Sequence, residues 1–229
     1  VPGRVSFYFV DVFATRPLTG NPLSLVPDAD RLDESQMRAI AREFNQSETT
    51  FLLRPTRSGA NWRLRSFTPA GAEVGGAGHN ALGAWLWLEA SGRLSDQGPD
   101  LAQEIAGEVL PVQIIREPGH PVTVSMDQLA PHFGESVTDR AELAGALGLD
   151  QDDLTTSEPA QVVSTGAAHL MVPLRDRDAV DRATPDGVRL RALLATVGGE
   201  GCYLYGLDPV DAADAVAYTR FFNPTMGIV

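Results

Sequence analysis

Ala81-Leu82-Gly83-Ala84-Trp85-Leu86-Trp87-Leu88-Glu89-Ala90 is apolar nearly all the way round. A surface helix would carry a polar face at a 3.6-residue period, and this stretch has none. Read as a helix, it is buried on every side, so the expected architecture is a central helix wrapped by sheet. Ser91-Gly92 closes the segment. Gly75-Gly76-Ala77-Gly78-His79-Asn80 opens it, a glycine-rich loop with a histidine at the helix start.

Outward from this helix, the flanking segments read as the sheet. Residues 5–13 (VSFYFVDVF) are β-branched and aromatic, as buried strands are. Residues 24–26, 49–53 and 62–67 also read as strands, with turn chemistry at residues 17–22. Asp33 with Gln36 three residues on has capping-box spacing, and Met37, Ile40, Ala41 and Phe44 form one apolar helical face ending near Asn45. Further strands are expected near residues 103–106 and 109–115. Residues 117–121 (EPGHP) are the clearest turn cluster mid-chain and mark the expected boundary between a first lobe, 1–117, and a second, 118–229. Beyond it come strands at 122–126, 168–174, 202–205 and 215–222, with helices at 142–147 and 188–196. This irregular alternation favours α+β over a doubly wound parallel sheet.

The two halves echo each other faintly. Arg65, Phe67 and Pro69 form R-x-F-x-P at one strand end, and Arg220, Phe222 and Pro224 repeat it at another. The buried helix follows the first copy. The sequence stops at Gly227-Ile228-Val229 soon after the second, so the second lobe is expected to lack its central helix.

Composition narrows the function. The net charge of −12 without a basic cluster argues against nucleic acid, whose binding rests on phosphate neutralisation. No segment approaches the roughly 18 continuous apolar residues of a membrane span. No secretory signal is visible at Val1-Pro2-Gly3-Arg4, which points to a cytoplasmic protein. One cysteine, Cys202, permits no internal disulfide, and His120, His132 and His169 show no metal-ligand spacing. His169, on an apolar strand, reads as a satisfied core histidine, and Cys202 as core. Asp11, in a strand of large apolar residues, should pair or cap something internally. Asp150, Asp152 and Asp153 read as a solvated turn.

Two stretches carry chemistry. In Ser47-Glu48-Thr49-Thr50-Phe51 a carboxylate stands where a helix hands over to a strand. Glu48 suits a general base or a solvated loop glutamate, and spacing alone does not choose it over Glu43. His79, in the first turn of a helix, meets the positive end of the dipole, which disfavours imidazolium. It either relays a proton or shields a substrate, or it simply caps the helix or bonds locally. Gly75, Gly76 and Gly78 either let backbone N–H groups approach an anion or serve a tight turn and close packing. The G-x-G-x-x-A spacing from Gly76 to Ala81 lacks the strand and acidic partner of a dinucleotide site, so no nicotinamide or flavin cofactor is expected.

With these residues in hand, the sequence resembles the phenazine-biosynthesis PhzF family, within the diaminopimelate-epimerase-like fold. The similar segments are Asp11-Val12-Phe13-Ala14, residues 17–22 and 40–51, Phe67-Thr68-Pro69, Gly78-His79 leading into Ala81-Leu82-Gly83, residues 125–128 and Phe222-Asn223-Pro224. The resemblance implies two similar lobes, each a curled, mostly antiparallel sheet around a central helix, with the site in the cleft between them. It implies a cofactor-free isomerase, often homodimeric. Glu48 would remove a proton from an activated carbon of a small carboxylic acid and return it elsewhere. His79 would assist or shield, Ser47 would line the site, and Gly78, His79 and Asn80 would cradle the substrate carboxylate. No metal is implied. Two departures stand out. Asn80 replaces the family's usual proline, and the loop that would open a second central helix is missing. The alternative reading is therefore an inactive fragment or carboxylate-binding protein with half a site. Racemases of this fold use two cysteines, which a chain with Cys202 alone does not supply.

Overall fold

The computed structural model describes residues 4–76 and 78–225. Ala77 of the glycine loop and the Gly227-Ile228-Val229 end lie outside the described residues. The chain divides into two compact units, Val1–Leu129 and Ala130–Val229.

In order, the first unit contains β1 (Tyr8–Val12), β2 (Asn21–Val26), α1 (Glu34–Phe44), β3 (Thr49–Leu53), β4 (Trp62–Phe67) and β5 (Glu73–Val74). It continues with α2 (His79–Ala90), β6 (Leu101–Ile105), β7 (Glu108–Ile115) and β8 (Thr123–Met126). The strands form one sheet in the order β1-β2-β3-β4-β6-β7-β8, with β5 pairing the end of β4. The β2/β3 and β4/β6 pairs are parallel and the rest antiparallel. Seven strands laid flat would span about 29 Å between edge strands. Yet α2, only about 10 Å across, packs against both edges, β1 and β8. The sheet is therefore curled around α2, as the apolar run at residues 81–90 requires.

That helix is buried over most of its surface, with Leu82, Leu86 and Glu89 partly exposed along one stripe and Ala90 exposed at its end. Ala81, Gly83, Ala84, Trp85 and Leu88 are buried among Leu25, Leu52, Leu64, Leu101, Ile105 and Val112 from the sheet. At its middle Gly83 removes the side chain that would keep the helix away from β1 and β2. On the opposite face of the sheet, α1 buries Met37 and Ala41 against Phe51 and Phe67. Its capping box is complete: Asp33 accepts from the Gln36 N–H, and the Gln36 side chain accepts from the Asp33 N–H. Asn45 ends it in the left-handed conformation, φ 51°.

The second unit contains β9 (His132–Ser136), α3 (Arg140–Leu147), β10 (Gln161–Ser164), β11 (Ala168–Pro173), α4 (Arg177–Arg182), α5 (Gly187–Val197), β12 (Gly201–Gly206) and β13 (Tyr218–Phe222). Its sheet runs β13-β12-β11-β10-β9, with β11/β12 the parallel pair. The echo between halves is topological. Strands β1 to β4 and β10 to β13 follow the same order, each with its middle pair parallel across a helical crossover. Arg65 lies 5.0 Å over Phe67 in β4, and Arg220 lies 4.8 Å over Phe222 in β13. All three helices of this unit feed one core with Leu170, Val172, Cys202, Leu204 and Phe222. The alternate strand positions His169, Tyr203 and Phe221 point the other way and stay partly exposed. Among the described residues that face has no counterpart of α2.

The division between units falls after Leu129, beyond the expected turn at residues 117–121. That turn joins β7 to β8 as a hairpin, so the strand expected to begin the second lobe completes the first sheet instead. The β7–β8 hairpin and the packing of α2 against β8 keep that strand in the first unit.

Candidate active site

Two elements bring the candidate groups together in the first unit. The left-handed turn at Asn45 ends α1 and swings residues 46–48 back toward β3, leaving Glu48 one residue before the strand. The glycine loop ends at Gly78, and α2 begins with His79. His79 Nε2 stands 3.2 Å from Glu48 Oε2, and the two side chains are 13% and 16% exposed. Glu43 is exposed on α1, so burial separates the two carboxylates that spacing left equivalent. Ser47 Oγ lies 3.5 Å from the same ring nitrogen.

The electrostatics follow from burial. Desolvation pushes His79 below the ordinary histidine value, while the Glu48 charge pulls the other way. The helix dipole adds to the preference for the neutral ring. Glu48 Oε2 is buried without a well-aligned hydrogen bond, so its contact with His79 is one of proximity and it retains acceptor capacity. A carboxylate held this way, beside a neutral ring, is equipped to take up and release a proton.

The loop in front of α2 is closed by Asn80. Its Oδ1 accepts from the Gly78 N–H at 2.7 Å, and its Nδ2 donates to Gly76 O at 3.1 Å and to Ser66 Oγ at 3.0 Å. Ser66 Oγ in turn meets Thr50 Oγ1 at 2.8 Å. The Gly78 N–H is therefore engaged internally. The first helical N–H groups, those of His79 and Asn80, precede the intrahelical ladder and are the ones a helix start offers an anion. Thr50 and Ser66 were not singled out from sequence. Their signal was two hydroxyls alternating with the core leucines Leu52 and Leu64 on the face of the sheet that meets α2.

Other residues have different duties. Asp11 does cap internally, accepting from the Thr19 and Gly20 N–H groups at 3.1 and 3.0 Å. Asp153 departs from the solvated turn expected of it: it is 6% exposed and accepts from Arg182 at 2.6 Å. His169 is not the satisfied core residue expected, because its buried Nδ1 has no hydrogen-bond partner and its ring packs edge-on against Tyr203 and Phe221. Cys202 is fully buried. Among the described residues, no helix is long and apolar enough to cross a membrane.

A mostly antiparallel sheet curled around a buried helix, with a carboxylate against that helix's first turn, defines a lobe of the diaminopimelate-epimerase-like class. Residues 10–229 match the family described as phenazine biosynthesis-like protein, PhzC-PhzF. The chain is 33% identical to the uncharacterized isomerase YddE of Escherichia coli K12, over 97% of this chain and 72% of that protein. It is 35% identical to the trans-2,3-dihydro-3-hydroxyanthranilate isomerase of Pseudomonas fluorescens, over 79% of this chain and 61% of that protein. A crystal structure of a PhzF-family phenazine biosynthesis protein from Bacillus anthracis superposes with a TM-score of 0.83 at 29% identity, covering 99% of this chain and 75% of that one. The chain belongs to the phenazine biosynthesis-like family, and it is an enzyme of the isomerase type.

Proposed function

We propose that this enzyme is a cofactor-independent isomerase that moves a proton within a small unsaturated or cyclic carboxylic acid, as a step in secondary-metabolite biosynthesis. The Glu48 carboxylate takes a proton from an activated carbon of the substrate. The electron pair left behind shifts the double bond, and the protonated Glu48 returns the proton at a different carbon. Bonds and charge balance without an oxidant or reductant. The His79 and Asn80 N–H groups hold the substrate carboxylate as negative charge develops. Ser47 and the neutral His79 ring line the path and keep water from Glu48.

The observation that supports this reading is the 3.2 Å approach of Glu48 to His79 at the opening of α2, with both side chains mostly buried. The name of the Pseudomonas fluorescens relative supplies a first substrate to try. The test is incubation with trans-2,3-dihydro-3-hydroxyanthranilate in deuterium oxide, followed by NMR and mass spectrometry. The expected result is isomerisation with solvent deuterium at the new C–H, abolished in folded Glu48→Gln. Unchanged turnover in Glu48→Gln would overturn the role of Glu48. Deuterium uptake with loss of water would replace isomerisation by elimination. Saturable binding without turnover would favour a carboxylate-binding protein.

A further inference from the structure

Asn80 lies in the first turn of α2, 4% exposed, between two side-chain hydroxyls and a glycine loop. Both protons of its Nδ2 are spent, one on Ser66 Oγ and one on the Gly76 carbonyl. Its Oδ1 accepts from the Gly78 N–H. The amide thus binds both Gly76 and Gly78 and is tied through Ser66 to Thr50 in β3. Three glycines in so short a loop carry a high entropy cost of ordering, and no side chain of their own can offset it. Gly78, as the residue before the helix, also has no side chain with which to cap it.

The Gly78 N–H to Asn80 Oδ1 bond spans His79, so it closes a ring of atoms around the peptide that carries the imidazole. Whatever fixes this ring fixes the His79 backbone, from which the imidazole reaches Glu48. We infer that Asn80 is a positioning residue: its side-chain amide, anchored through Ser66 to Thr50, ties down Gly76 and Gly78 and thereby holds the His79 backbone and the first helical N–H groups in register with Glu48. Asn80 then contributes to the site twice, its backbone N–H facing the substrate and its side chain facing away. The inference rests on the isomerase reading for its role in turnover, but not for its geometry.

The test uses the whole protein without ligand. Histidine ring titrations are followed by NMR, with His79→Gln assigning the His79 signal, and amide exchange is followed at Gly78. In Asn80→Ala the loop opens and water reaches the ring. The His79 midpoint should move up toward the ordinary histidine value, and exchange at Gly78 should accelerate. Ala84→Gly, a destabilising change in the same helix outside the clamp, should leave the His79 midpoint in place. Ser66→Ala, which removes only the anchor, should move His79 in the same direction as Asn80→Ala and serves alone if the latter fails to fold. A folded Asn80→Ala or Ser66→Ala with the His79 midpoint unmoved would overturn the inference and leave Asn80 as packing only. Where turnover is measurable, Asn80→Ala should lower kcat about a hundredfold, the scale of a 1 Å misplacement, with a smaller change in KM. Absence of turnover in the native protein would count against the isomerase reading, while the titration would still decide the clamp.

Discussion

Gly83, in the middle of α2, lies so close to Leu23 of β2 that a Cβ built on it would sit 2.7 Å from Leu23 Cδ2, and equally close to Val12 Cγ2. Leu23 and Val12 are themselves fully buried and have nowhere to retreat. Helix propensity alone favours alanine over glycine by about 1 kcal/mol. Overpacking in a closed core typically costs about 1–3 kcal/mol. Gly83→Ala is therefore expected to lower stability in chemical denaturation. A rise would mean that the helix has room to shift and propensity wins.

Stability should also fall on mild acidification. Burial depresses the titration of both His79 and His169 below the ordinary value of 6.5. The unfolded chain then binds more protons than the folded one, so unfolding free energy rises with pH across this window. The contribution is complete above about pH 6.5 and is lost as pH falls from there through the lowered folded values. Denaturation midpoints measured between pH 7 and 5 should decline, and the slope should be shallower in His79→Gln and in His169→Gln. A flat profile would show that neither ring is held neutral by the fold.

Asp11 closes the turn between β1 and β2 by accepting from two consecutive backbone N–H groups. Hydrogen bonds to a charged group are worth about 1.5–3 kcal/mol, less where solvent reaches them. Asp11→Ala should cost about 1–2 kcal/mol in equilibrium unfolding. Gly20→Ala should also be destabilising, because its Cβ would collide with the Val12 carbonyl and crowd Asp11. Wild-type stability in both variants would mean that the turn forms without its clamp.

Trp85, fully buried in α2, donates its indole N–H to Gln103 Oε1 at 2.8 Å. Gln103 is also fully buried, so each group is the other's replacement for water. Gln103→Leu would strand the indole N–H in the core. A buried unsatisfied donor costs about 1–3 kcal/mol, and that loss should appear in the denaturation midpoint. A neutral result would require a water or another acceptor at the indole.

Much of the first unit was legible because its signals are local. The capping box at Asp33 and Gln36, the left-handed stop at Asn45 and the strands Thr49–Leu53 and Trp62–Phe67 appear where pattern and turn chemistry put them. The nearly all-apolar run at residues 81–90 predicted a sheet wrapped around this helix, since a helix without a polar face has to be covered. Short elements escaped: β5 has two residues, and β9, β10 and α4 are too brief for periodicity to stand out. At the site, spacing alone left Glu48 and Glu43 equivalent and only the family resemblance chose between them, because their difference in burial depends on where α2 comes to lie. The Thr50–Ser66–Asn80 chain was hidden for the same reason, three common polar residues joined only by strand pairing and helix packing.

The chain's single thiol gives the second unit a built-in reporter. Cys202 sits in the central part of its sheet, fully covered, and burial pushes its thiol up to about 12. In the folded state almost none of it is thiolate, so alkylating reagents should pass it by. Any labelling at neutral pH then clocks the opening of the β11–β12–β13 region, while the first unit, free of cysteine, stays silent. Opening of the second unit can thus be timed on its own, without a single engineered residue.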